Sequence, residues 1–220
     1  SFIGLVGSEM CIRDRNMTGL QRALAAGADE VAVFGSASES FSQKNINCSI
    51  AESLERFSPV VQSAIAEGVP VRGYVSCAIA CPYEGAIAPM AVADVATALI
   101  KLGCYEVSLG DTIGQGTPDT MNRMLDAVLD AVPVDLLAGH YHDTGHRALD
   151  NIRVSLERGI RVFDSSAGGL GGCPYAPGAP GNVATEAVVD MLAAEGFDTG
   201  IDRTALAEAA DFAKGLRNTP

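Results

Sequence analysis

Short β-branched runs alternate with longer alanine-rich stretches of helical period along almost all of this 220-residue chain. Such alternation is the pattern of βα units, because parallel strands need a crossover helix between them. Runs at 31–35, 71–77, 106–111, 135–142 and 161–165 predict strands, and their starts lie 26 to 40 residues apart. That is one βα unit each. Stretches at 18–26, 50–67, 88–102, 117–131, 145–158, 182–196 and 203–216 predict helices. Gly27, Gly68, Gly103 and Gly159 follow four of these runs, where a left-handed C-cap is expected. Asp111-Thr112, His140/His142-Asp143 and Asp164-Ser165-Ser166 all fall at the C-terminal ends of different predicted strands. A (β/α)8 barrel gathers several strand ends into one mouth, whereas an open doubly wound sheet gathers ligands at its switch point. The expected fold is therefore α/β, a (β/α)8 TIM barrel. It is incomplete, with about the last five βα units legible where eight are needed. Five strands would leave two unpaired edges and an uncovered interior, expected to be apolar, so the chain is expected to associate.

Charge narrows the partners. Asp and Glu number 27 against 15 Lys and Arg, a net charge of -12, which disfavours nucleic acid and an anionic membrane surface. No apolar run reaches the roughly 18 residues of a membrane span. Six cysteines in a chain of this size are too few for a disulfide framework, so a reducing, cytosol-like compartment is expected. The segment 1–15, SFIGLVGSEMCIRDR, fits neither a strand nor a helix continuing into Asn16, and GSEMCIRDR resembles translated adapter read-through. It is expected to be a non-native or disordered leader, with 16–220 forming part of one domain.

Three regions carry residues suited to chemistry. His140 and His142 lie two apart on a predicted strand, so both imidazoles point to one face and can converge on a metal. The alternative is two half-buried histidines filling a strand end. Residues 168–182 hold six Gly and three Pro, which predicts a long ordered loop, with Cys173 at its centre and Asn182 at its end. Cys173 reads as a nucleophile, an acid/base thiol or an inert small hydrophobe. Asn182 offers an amide oxygen as a third ligand. Asp111 reads as a mouth-facing acid or a helix cap, in competition with Thr112 and Thr117. Arg72, inside an apolar strand, reads as an internal ion pair at the bottom of the barrel or a substrate carboxylate contact. Cys77 and Cys81 lack the spacing and the second pair that a zinc site needs. Residues 44–49 read as a loop opening a helix capped by Ser49.

The segments SQKNINCSIAES (42–53), VRGYVSCAIACPYEGAIAP (71–89), LGDTIGQGTP (109–118), HYHDT (140–144) and GLGGCPYAPGAPGNVATE (169–186) resemble, in order, the hydroxymethylglutaryl-CoA lyase family. The resemblance covers about 16–200. It implies a metal-dependent (β/α)8 barrel that cleaves 3-hydroxy-3-methylglutaryl-CoA to acetyl-CoA and acetoacetate by retro-Claisen chemistry. It further implies His140, His142 and Asn182 as ligands of Mg2+ or Mn2+, and Cys173, His140, Asp111 and Glu186 as catalytic residues. An acyl-CoA substrate, a homodimer of the full-length enzyme, and a cytoplasmic location (mitochondrial matrix in a eukaryote) follow from the same resemblance. The alternatives are a related barrel lyase or Claisen synthase with another acyl-CoA or 2-oxo acid, or a catalytically silent metal-binding fragment. Three departures stand out. Family members carry an Arg-Asp pair at the end of the first strand, and Arg13-Asp14 lies too close to Cys48 to match it. Gly145-His146-Arg147 replaces a usual Tyr-Gly-Gln, and Pro180 stands where Ser is usual.

Overall fold

The structure, a computed structural model, describes residues 4–6, 17–171 and 181–217. Six strands form one parallel sheet: β1 (Gly4–Val6), β2 (Val31–Ser36), β3 (Val71–Ser76), β6 (Glu106–Asp111), β7 (Leu137–Tyr141) and β8 (Val162–Asp164). Their spatial order is β1-β8-β7-β6-β3-β2, so from β2 to β8 each strand pairs with the next of the sheet in sequence. A small antiparallel hairpin, β4 (Ala80–Cys81) and β5 (Gly85–Ala86), follows β3. The long helices fill the crossovers: α1 (Met17–Ala25), α3 (Ile50–Ala66), α4 (Pro89–Leu102), α5 (Pro118–Leu129), α6 (Ala148–Glu157) and α7 (Thr185–Ala194), with α8 (Arg203–Arg217) at the end. This is the α/β arrangement that the alternation predicts.

The local chemistry explains the boundaries. Ser49 caps α3 in a reciprocal box with Glu52, and Thr117 caps α5 with Thr120. Gly103 ends α4 at φ 113°, a conformation that a side chain would strain. Pro133 starts a 3-10 turn at Val134–Leu136, so the strand expected from 135 begins only at Leu137. Within the loop expected at 44–49, α2 (Glu39–Ile46) runs as far as Ile46, capped by Ser38 and ended by Asn47 in the left-handed region. The expectation that 1–15 holds no strand is corrected at Gly4–Val6, which pairs in parallel with β8. The outer edge of β8 presents backbone donors and acceptors that any extended segment can satisfy.

Strand register sorts the side chains by parity. Arg72 pairs with Glu106, Tyr74 with Ser108, Gly110 with His140, and His140 with Asp164. These even-numbered positions share one face. Odd-numbered positions face the helices: a Cβ on Gly35 or Gly73 would meet Leu99 of α4, and Val75, Val107, Leu109, Leu137 and Phe163 are buried there. The other face is the inner one of the array, and it is mixed: Arg72, Glu106, Ser108, His140 and Asp164 lie on it, and so do Ala32, Phe34, Tyr74 and Val162. The expected apolar interior holds in part: β2 presents Ala32 and Phe34 inward, whereas β3, β6, β7 and β8 line the same face with Arg72, Glu106, Ser108, His140 and Asp164.

Candidate functional site

His140 lies on the inner face of β7, and His142 just beyond its end keeps the same parity, with the two ring centroids 5.5 Å apart. Asp164, next to His140 in the register, brings its Oδ2 to 3.2 Å from His140 Nδ1. The same oxygen accepts from Ser108 Oγ at 2.9 Å, while Oδ1 accepts from Arg72 Nη1 at 2.7 Å. Arg72 is fully buried and also donates to Glu106 at 2.7 Å and to the Tyr74 hydroxyl at 2.6 Å. Of its two readings, the internal ion pair is the one observed. Burial by itself would raise the Asp164 carboxyl, but His140 and Arg72 outweigh it and hold the group below its ordinary value.

His142 differs from its neighbour. Its Nδ1 is buried with no hydrogen-bond partner among the described residues, and burial together with His140 lowers its pKa to about 4. A neutral imidazole with an unsatisfied buried nitrogen is the form that ligates a metal. Asn182 forms an isolated antiparallel bridge with His142, and its amide nitrogen donates to Leu170 O at 3.0 Å. The amide oxygen is then the atom with lone pairs to offer. His140, His142 and Asn182 are thus brought together. Among the described residues there is no group of three or more His, Cys, Asp or Glu able to hold a metal ion. The donor set is two nitrogens and one neutral oxygen.

The other candidates sit elsewhere. Asp111 has odd parity and leaves the opposite face from the histidines; its carboxylate accepts from Gln115 N at 3.1 Å and Gly116 N at 2.7 Å. Burial raises its pKa despite those donors. It supports the turn into α5, where Thr117 is the cap, and does not face the histidine pair. Glu186, in the first turn of α7, accepts from Gly168 N at 3.0 Å and pairs with Lys214 of α8 at 3.1 Å. It clamps the 3-10 turn Ala167–Gly169 that follows β8. Cys173, Pro180 and Arg13-Asp14 lie outside the described residues. Cys77 and Cys81 are free and buried, and burial pushes the Cys77 thiol up to about 12, which makes it inert. Gly145 and Arg147 line a cleft of about 600 Å3 with Pro82, Ile113, Gly114, Gln115 and Thr144. The sequence reading marked Asp164 as a polar strand end but missed its contact with His140. The signal was the shared parity of positions 140 and 164 on neighbouring strands.

A family model described as HMGL-like matches residues 8–213, nearly the whole chain. The chain belongs to the HMGL-like family. The HMGL-like chain is 59% identical over 197 residues to a cytoplasmic 3-hydroxy-3-methylglutaryl-CoA lyase of Danio rerio, covering 90% of this chain and 59% of that protein. It spans, then, about three fifths of the length of that relative. An HMG-CoA lyase structure from Brucella melitensis superposes with a TM-score of 0.92 at 63% identity, covering 93% of this chain and 72% of the other. One from Acinetobacter baumannii, in complex with coenzyme A and 3-methylmalate, superposes at 0.84 with 34% identity, covering 92% and 66%. The fold is thus of the TIM-barrel type expected from the polar residues gathered at the strand ends.

Proposed function

We propose that this chain carries the histidine side of a hydroxymethylglutaryl-CoA lyase site. The observation that carries the reading is the convergence of His140, oriented by Asp164, with His142 and Asn182 at the ends of β7 and the Gly-rich loop. In the reaction a base takes the C3 hydroxyl proton, the C3–O bond becomes the ketone of acetoacetate, and the C2–C3 bond breaks. The electron pair left on C2 forms the acetyl-CoA enolate, which an acid protonates. Cys173 is assigned to these proton transfers, and so is His140 where its one lone pair is not holding the ion. A divalent ion, Mg2+ or Mn2+, held by His140, His142 and Asn182, would supply Lewis-acid stabilisation of developing negative charge on substrate oxygens. Of the two ions, Mn2+ suits imidazole nitrogens better. Glu186 contributes by fixing the turn that leads into the Cys173 loop, and Asp111 by fixing the loop after β6.

Coenzyme A in the Acinetobacter relative supports an acyl-CoA substrate. Relatives named cytoplasmic and mitochondrial support either of those compartments, and no helix among the described residues is long and apolar enough to cross a membrane. The competing reading is a site that binds metal without turnover. The test joins this chain behind the first strands of the Brucella relative and assays acetoacetate release from hydroxymethylglutaryl-CoA with Mn2+. Release is expected, falling by about 100-fold or more in His140→Ala. Metal binding with no acetoacetate, or cleavage of another acyl-CoA instead, would sink the proposal.

A further inference from the structure

We propose that Asp164 is a positioning residue for His140, fixing its ring in the Nδ1–H tautomer so that the Nε2 lone pair faces the mouth of the strand array. The inference deepens the site proposed above and rests on His140 acting there through a ring nitrogen. A carboxylate only accepts, so the 3.2 Å contact between His140 Nδ1 and Asp164 Oδ2 requires the proton to be on Nδ1. A neutral imidazole has one N–H. Once it is given to Asp164, the opposite nitrogen must be the lone-pair donor, for a metal or for a substrate proton.

Asp164 can do this because neither of its oxygens is free to turn. Ser108 Oγ, on the neighbouring inner face of β6, holds Oδ2 at 2.9 Å. Arg72 holds Oδ1 at 2.7 Å and is itself pinned by Glu106 and Tyr74. The anchors come from β3 and β6, two strands of the same sheet that carries Asp164 on β8, so the carboxylate is a fixed acceptor rather than a mobile one. A buried guanidinium needing only a counter-ion would be met by Glu106. The additional link through Asp164 to His140 is what a positioning device requires and a bare ion pair does not.

The chain has three histidines, so histidine-selective 13C/15N labelling gives few signals to assign. Solid-state NMR of the labelled 220-residue chain at mildly alkaline pH, which tolerates association, reads each ring's tautomer. Wild-type His140 is expected as Nδ1–H. In Asp164→Asn the amide oxygen stays with Arg72 and the NH2 turns to His140, so the ring should switch to Nε2–H; a purely structural role would not produce this switch. Mn2+ affinity should fall about 10- to 100-fold in the same variant. Asp164→Glu, which keeps a carboxylate, should restore the Nδ1–H form. If Asp164→Asn does not fold, the wild-type and Asp164→Glu spectra still decide. An Nε2–H ring in the wild type, or an unswitched ring in folded Asp164→Asn, overturns the proposal. His140→Ala with unchanged Mn2+ affinity would instead overturn the ligand reading and leave the tautomer result standing.

Discussion

At the scale of single residues, His142 is the most exacting position. Its Nδ1 is buried without a partner among the described residues, an arrangement that costs free energy unless something supplies the missing interaction. In the proposed site a divalent ion would do so. His142→Ala is expected to weaken Mn2+ binding by about tenfold or more, because one of few protein ligands is lost and water replaces it poorly. Calorimetric titration giving the wild-type affinity would remove His142 from the ligand set. This pair was legible in the sequence, since residues i and i+2 of a strand share a face whatever surrounds them. Asp164 was not, because its partner Arg72 lies 92 positions away and only strand register brings them together. Asp111 was ambiguous for a related reason. A carboxylate at a strand end serves the mouth or the outer loops according to parity, and parity depends on where the strand is entered.

At the scale of elements, the turn after β8 depends on Glu186. Burial alone would raise its carboxyl, but the Glu186 and Gly168 backbone N–H groups and Lys214 together hold it below the ordinary value of 4.5. The sign follows directly. Below about pH 4.5 the unfolded chain binds the proton more readily than the folded one, so this contribution is full above that pH. It fades as pH falls through the lower folded-state value. Glu186→Gln is expected to cost on the order of 1 kcal/mol at neutral pH, discounted for partial exposure, and less in acid. Urea unfolding at neutral and acid pH checks this; an equal loss at both would show that the charge is irrelevant. The long helices were legible because apolar period and caps agree, as at Ser49 and Thr117. Helix α2 was not, since ESFSQKNI carries almost no apolar stripe and depends instead on the Ser38 and Asn47 caps. Ser38 is bonded in turn to Glu84 and to Cys81 Sγ of the hairpin loop, a tertiary tie that local pattern does not reveal.

At the scale of the whole molecule, six parallel strands make an open array, and β1 and β2 each have one side without a strand among the described residues. Such edges template pairing with other chains. The 220-residue chain is expected to self-associate, and light scattering over a dilution series checks it; a monomer at every concentration would contradict the expectation. The alternation of faces has a consequence for how the protein tolerates change. In the parallel strands from β2 to β8, odd positions face the helices and even positions face the inner side, so the strands carry two interleaved sets of demands. In a library of all single substitutions, scored separately for cellular abundance and for turnover of the extended enzyme, losses at 107, 109, 137, 139 and 163 should appear in abundance. Losses at 140 and 142 should appear in turnover while abundance holds, so that adjacent letters of one short strand answer to different selections.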